Sequence, residues 1–218
     1  MDSGTGEPLS IEQVSAALEP FGDPLSDAQL RSITDYVSLL CFWNRRVSLT
    51  AITDPIEIVI HHFGESIFAR RLLRSGSGRL ADVGTGAGFP GLALKIARPE
   101  LRVTLLEPNH KKIAFLKELC ERLKLQDVEI LRCRFEDLTV SHRTEDQFAY
   151  ICSRAMGSYK SLLGWARQAL AVDGNLILWV GENDSIRLVR TPGWNWSPPV
   201  LIPGSKRRLL VSGSPIRQ

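Results

Sequence analysis

Apolar positions along the chain follow two different periods, and the change falls near residue 78. Before it, apolar residues recur at helical spacing. Ser10 and Gln13 have the spacing of a capping box, with Ile11, Val14 and Leu18 along one face. Ser26 and Gln29 repeat the device ahead of Leu30, Ile33, Val37 and Leu40. Asp54-Pro55-Ile56-Glu57 reads as a third helix start, with an N-cap, a proline at the first helical position and an acid at the third. Gly64 is placed to break that helix before Ile67, Phe68 and Leu72 resume.

Past the Ser75-Gly76-Ser77-Gly78 loop, short apolar runs alternate with amphipathic ones. Strands are expected at Arg79–Val83, Arg102–Glu107, Val128–Cys133, Phe148–Cys152 and Asn175–Val180. Helices are expected at Pro90–Arg98, His110–Leu123 and Ser158–Ala171, and Asp173-Gly174 reads as a turn. Beyond Gly181 come two further strands, near Trp196–Ile202 and Arg207–Ser212, the first irregular because of Pro198 and Pro199. Short strands separated by helices imply an α/β fold with a doubly wound, mostly parallel Rossmann-like sheet. The expected division is a helical extension over 1–77, packed on a core over 78–218.

Composition narrows the class. Of 218 residues, 44% are hydrophobic and 23% charged, which suits a chain that buries a core. No apolar run exceeds five residues, so a membrane span is not expected. The acidic, polar start MDSGTGEPLS does not read as a signal peptide. Cys41, Cys120, Cys133 and Cys152 form no CxxC pair, so neither zinc nor a redox motif is expected, and a reducing, cytoplasmic setting is. The net charge is only +3, but residues 1–30 carry six acids and no base, while residues 185–218 carry six bases and no acid. The basic end points either to a polyanionic partner or to a solvated face.

The chemistry concentrates in Asp82-Val83-Gly84-Thr85-Gly86-Ala87-Gly88-Phe89-Pro90-Gly91, which leaves the first core strand and opens a helix. Glycines there let the backbone turn sharply and let a ligand approach it. Gly86-x-Gly88-x-x-Gly91 fits a dinucleotide fingerprint, with Glu107 suitably placed for ribose hydroxyls, so NAD is one reading. S-adenosylmethionine (SAM) is the favoured one. It carries an ammonium that Asp82 can pair with, whereas the same carboxylate would repel a pyrophosphate. No Tyr-x-x-x-Lys constellation for hydride transfer is evident.

Other candidates each carry two readings. Glu107 is a bidentate acceptor for the ribose or a helix-start anion. Phe135 and Glu136 flank the place of a nucleoside base, one by packing and the other by accepting from an amino group, or they form an ordinary turn. Arg154 and Arg134 either hold cofactor or substrate or pair on the surface. His62 is a packed histidine or a pocket residue. Asn44 is a helix C-cap or a site residue. Trp194 and Trp196 either stack on RNA bases or pack the last strands.

Taken together, these stretches resemble the RsmG (GidB) family. The resemblance rests on Trp43-Asn44, Ser48-Leu49-Thr50, Asp54-Pro55, His62, DVGTGAGFPG at 82–91, TLLEPNHKKIAFL at 104–116, Arg134-Phe135-Glu136 and Ser153-Arg154-Ala155, with a weaker match over Lys206–Val211. It implies a class I SAM-dependent methyltransferase acting on guanine N7 of 16S ribosomal RNA. It further implies SAM contacts at Gly84, Phe89, Phe135, Glu136 and Arg154, and pocket positions for His62 and Arg134. An Asn usual in the family is Ser48 here, an Asp is Glu65, and a Lys-Gly after the fifth strand is Val180-Gly181. Arg187 or Arg190 is the expected replacement for that lysine.

Guanine N7 has a free lone pair and no proton to lose, and a sulfonium methyl is already electrophilic. Such a transfer needs an aligned, desolvated approach rather than a general base. The expected sites are therefore Asp82, Gly84, Gly86, Gly88, Phe89, Glu107, Phe135, Glu136 and Arg154 for SAM. Asn44, His62, Arg134 and Arg154 would position the substrate, and Lys206, Arg207 and Arg208 would meet RNA phosphates. The expected partner is 16S ribosomal RNA, free or within the small subunit, and the expected form is a monomer with no metal. The alternatives are a SAM methyltransferase with another acceptor, a nucleotide-binding protein that does not catalyse, and a dinucleotide oxidoreductase.

Overall fold

The computed structural model describes residues 9–139, 143, 146–154 and 159–217. Most of the polar N-terminal stretch, together with Ala155 and Ser158, lies outside the described residues. Helix α1 (Ile11–Leu18) and helix α2 (Asp27–Asn44) both begin with the expected capping boxes, Ser10 with Gln13 and Ser26 with Gln29. Asp54 caps α3 (Pro55–Ile58) by accepting from the Glu57 amide at 2.9 Å. Gly64 does not break the helical path beyond α3. A π-helical stretch, Val59–Gly64, runs into α4 (Glu65–Ile67) and a 3-10 stretch, Phe68–Leu72. The glycine is there for room: a Cβ on it would lie 2.5 Å from the Phe21 ring.

The core sheet contains β1 (Arg79–Val83), β2 (Arg102–Leu106), β3 (Val128–Leu131), β4 (Phe148–Arg154), β5 (Leu170–Gly181), β6 (Trp194–Trp196), β7 (Val200–Leu201) and β8 (Arg208–Pro215). Its order is β3-β2-β1-β4-β5-β8-β6, with β7 on β8. The first five strands are parallel; β8 runs antiparallel to β5, β6 and β7. Helices α5 (Gly91–Ala97), α6 (His110–Arg122), α7 (Tyr159–Ala169) and α8 (Glu182–Val189) complete the fold. The pattern did not predict α8, whose short polar start looks like loop. Asp173-Gly174 is no separate turn either. It lies in a bulge where β5 residues 171–174 leave the register between Leu170, opposite Phe148, and Asn175, opposite Tyr150.

Successive residues of each buried strand feed opposite faces. Leu80, Leu105 and Ile177 join α5, α6 and the N-terminal helices in one apolar cluster. Ala81, Leu106 and Leu178 join α7 and α8 in the other. The N-terminal helices thus share a core with the sheet. Among the described residues no helix is long and apolar enough to cross a membrane.

Candidate active site

β1 lies between β2 and β4, so the chain leaves it at the switch point of the sheet, where a crevice forms outside the strand ends. The glycine loop occupies this place. The Leu106 carbonyl accepts from the Gly84 and Thr85 amides at 2.9 and 3.2 Å. Gly84, Gly86 and Gly88 have φ of 69, 59 and 95°, in the left-handed region that favours glycine. They nevertheless serve different ends. A Cβ on Gly84 would meet nothing within 4 Å, and one on Gly86 only the Gly84 carbonyl at 3.9 Å. These two line an open cradle. A Cβ on Gly88 would lie against the Tyr36 hydroxyl of α2 and 2.8 Å from Leu92 Cδ1, and one on Gly91 would lie 2.8 Å from Asp82 Oδ2. Packing therefore requires glycine at Gly88 and Gly91.

Asp82 is fully buried. Its Oδ2 accepts from Thr85 Oγ1 at 2.6 Å and from the Gly91 amide at 2.7 Å. The carboxylate thereby folds the loop back onto the start of α5. Its Oδ1 has no hydrogen-bond partner among the described residues. Burial raises its pKa to about 6, against the lowering effect of those two bonds. Glu107, just past β2, bonds the Gly86 amide through Oε2 at 3.0 Å and the Asn109 amide through Oε1 at 2.9 Å. It staples the cradle to the start of α6, and each oxygen keeps a further lone pair.

Phe135 is buried, packed edge-on against Trp165 of α7 at 5.7 Å, so its ring belongs to the core rather than to an open face. Arg134 and Glu136 flank it and are exposed. Phe89 is also buried, stacked on Tyr36 at 5.1 Å and on His62 at 4.8 Å. The Tyr36 hydroxyl donates to the Ala87 carbonyl, so α2 seals one side of the loop.

The N-terminal segment supplies the rest of the rim. Asn44 Oδ1 accepts from the Leu49 and Thr50 amides at 2.8 and 3.0 Å, and its Nδ2 donates to the Thr50 carbonyl at 2.9 Å. The loop so ordered sets Thr50 Oγ1 2.7 Å from His62 Nε2. Asn44 thus acts on His62 through Thr50. Burial first, then the charges of Arg154, His61 and Arg208, lower the His62 pKa to about 4.

Arg154, expected to reach cofactor or substrate, spends its guanidinium on this segment. It donates to the His61 and His62 carbonyls at 3.1 and 3.3 Å, to Ser66 Oγ at 3.1 Å and to Glu65 Oε2 at 3.1 Å. Glu65, with a side chain 2% exposed, also meets Arg208 Nη2 at 2.7 Å and His61 Nδ1 at 3.1 Å, while its carbonyl accepts from Trp179 Nε1 at 2.7 Å. Sequence reasoning missed Glu65 and Tyr36 as organising residues. The available signal was a carboxylate and a phenol on otherwise apolar helix faces.

The basic run divides. Lys206 and Arg207 are exposed, whereas Arg208 folds onto Glu65. Trp194 and Trp196 stack on each other at 5.4 Å, and Trp194 is 7% exposed, so packing accounts for them. Arg187 and Arg190 stay exposed on and just past α8, Arg187 4.0 Å from Asp184. Val180 is buried among the α7 and α8 side chains. Among the described residues no group of His, Cys, Asp or Glu is arranged to hold a metal ion.

An open glycine cradle after the first parallel strand, stapled by an acid after the second, fits an adenosine-bearing cofactor. With the order and direction of the strands, it defines a class I SAM-dependent methyltransferase. Solved structures agree on the fold: a SAM-dependent methyltransferase from Aquifex aeolicus aligns with a TM-score of 0.59 at 15% identity, over 73% of this chain and 93% of that one. The METTL16 MTase domain aligns with a TM-score of 0.57 at 14% identity, over 97% and 94%. The model of the GidB family, rRNA small subunit methyltransferase G, matches residues 29–192, and the chain belongs to that family. Relatives named ribosomal RNA small subunit methyltransferase G include one from Syntrophus aciditrophicus, 41% identical over 73% of this chain and 66% of its own length. Another, from Chloroflexus aggregans, is 36% identical over 96% and 90%. The oxidoreductase alternative falls with this assignment.

Proposed function

We propose that the chain methylates N7 of a guanine in 16S ribosomal RNA, free or within the small subunit, as a cytoplasmic monomer. Residues 78–218 form the catalytic unit in this reading and 1–77 its cap. The observation that carries it is the pair of unobstructed glycines, Gly84 and Gly86, beside the Glu107 carboxylate in a chain of this family.

Bound SAM supplies a methyl group on a positively charged sulfur. Gly84 and Gly86 would let it approach the backbone, and Glu107 would accept from the ribose hydroxyls with its remaining lone pairs. Glu136 and the backbone at Phe135, whose ring is turned into the core, would border the base. Asp82 and Phe89 act from behind, by fixing the loop. His62, neutral at pH 7, places no further positive charge on the rim and, stacked on Phe89, excludes water there. Arg134, Lys206 and Arg207 offer exposed cations for RNA phosphates. No general base is required, since N7 loses no proton.

Transfer of labelled methyl from SAM to intact small subunits, protein-free 16S RNA and free nucleosides tests this reading. Label recovered as 7-methylguanine in RNA supports it. A protein that binds S-adenosylhomocysteine yet labels only small molecules has a different acceptor.

A further inference from the structure

Arg208 pairs with Gly181 across β5 and β8, so its side chain leaves the sheet at the carboxyl end of β5. That is the same end as the glycine loop, because β5 is parallel to β4 and β4 to β1. There its Nη2 lies 2.7 Å from Glu65 Oε1 and 2.9 Å from His61 Nδ1. Glu65 is 2% exposed and Arg208 44%. One nitrogen of the guanidinium, Nη2, is therefore anchored by an ion pair to a buried carboxylate. Its Nε and Nη1 have no acceptor among the described residues. Glu65 is shared with Arg154 as well, so two guanidiniums divide one buried negative charge.

We propose that Arg208 is an RNA-phosphate-binding residue and that Glu65 is its positioning residue; the proposal rests on the RNA reading above. A guanidinium has five donors in a planar fork, so with Nη2 turned to the carboxylate and the imidazole, Nε and Nη1 remain to donate to a phosphate. Anchoring by Glu65 removes beforehand the side-chain freedom that an unrestrained surface arginine loses on binding. Ser205 Oγ accepts from the Arg207 and Arg208 amides at 3.2 and 2.8 Å, which holds the turn carrying exposed Lys206 and Arg207 next to the same fork. Arg208, rather than Arg187 or Arg190, is thus the cation at the end of β5.

The test is the salt dependence of binding to protein-free small-subunit RNA, with S-adenosylhomocysteine affinity and thermal melting measured beside it. Each neutralised phosphate contributes roughly 0.7–0.9 to the slope of log affinity against log salt. Arg208→Gln should lose that increment and bind RNA roughly 10- to 100-fold more weakly, as for a charge-assisted pair. Arg208→Lys should keep most of the slope yet bind more weakly than wild type, because a point charge cannot serve both anions in fixed geometry. Glu65→Gln should weaken RNA binding in the wild-type background and add nothing to Arg208→Gln. These three lysine and glutamine comparisons support the proposal only together. An unchanged slope in Arg208→Gln overturns it, and so does wild-type affinity in Arg208→Lys; neither variant alters a buried group. An equal loss from Glu65→Gln in both backgrounds overturns the positioning role. Wild type that binds neither protein-free RNA nor intact small subunits overturns the RNA reading itself, whereas salt-steep wild-type binding indifferent to Arg208 overturns this proposal alone.

Discussion

Replacing Gly84 and Gly88 by alanine, one at a time, should produce opposite failures. Gly88→Ala puts a methyl against the Tyr36 hydroxyl and 2.8 Å from Leu92 Cδ1, at a φ of +95°. The backbone conformation costs an L-residue about 1–2 kcal/mol. Overpacking a filled site adds about 1–3 kcal/mol. Pushing the Tyr36 hydroxyl off the Ala87 carbonyl leaves a buried acceptor unpaired, for about 1–3 kcal/mol more. A loss of at least about 3 kcal/mol follows, large against a total stability of about 5–15 kcal/mol. Gly84→Ala carries only the conformational term, about 1–2 kcal/mol, because nothing lies within 4 Å of the new methyl. That methyl instead occupies the cradle, so affinity for S-adenosylhomocysteine should fall sharply. Tyr36→Phe removes the hydroxyl that the Gly88→Ala methyl meets. The double variant should therefore be less destabilised than the sum of its singles, by roughly 1–3 kcal/mol. Urea unfolding reads the stabilities and titration calorimetry the affinities. If Gly84→Ala unfolds as readily as Gly88→Ala and still binds, the division of the loop into cradle and packing glycines is wrong.

Three further outcomes concern the site and its surroundings. Glu107→Ala should weaken S-adenosylhomocysteine binding by roughly 1.5–3 kcal/mol in calorimetry, since a charged acceptor and the staple to the Gly86 amide go together; unchanged affinity in a folded variant would make Glu107 purely structural. His62 titrates at about 4 in the fold against 6.5 unfolded, so the unfolded state binds the extra proton between those values and the neutral ring's contribution is lost as pH falls through that window. The stability difference between wild type and His62→Gln, taken by urea unfolding, should shrink by up to about 3 kcal/mol from pH 7 to pH 4; a constant difference refutes it. Asp82 contributes with the opposite sign, because its folded pKa of about 6 exceeds 3.8 and acid favours the fold there, which is why the comparison with His62→Gln is the informative one. Val180→Lys should be strongly destabilising in thermal melts, because the new amine would enter an apolar cluster; a variant that melts like wild type would mean the position opens to solvent.

Local features were legible in the sequence because their partners are close in the chain. The capping boxes at Ser10 and Ser26, the β1 boundaries and the glycine loop can all be read from spacing or turn chemistry. Direction was not legible. Asp82 sits where a ligand-facing acid was expected, but its bonds run back to Thr85 and Gly91. Arg154 ends its strand as expected, yet its partners come from about ninety residues earlier in the chain. Val180 lies near the end of its strand, as expected, yet β8, opposite it through Leu209, and the packing of α7 and α8 close the place. Each miss is a long-range contact that decides which way a correctly located side chain points.

The antiparallel strand β8 has a consequence for how the molecule comes to be made. It comes later in the chain than every strand it touches, yet it sits inside the sheet between β5 and β6. Until Arg208–Pro215 has been synthesised, β5 presents the backbone donors and acceptors of one side with no partner, along its apolar residues Leu176–Val180. Such an edge invites pairing with other chains. A ribosome making this protein therefore exposes its sheet unfinished until Arg208–Pro215 has emerged. Nicks or truncations within the closing strand should be far more harmful than their distance from the glycine loop suggests.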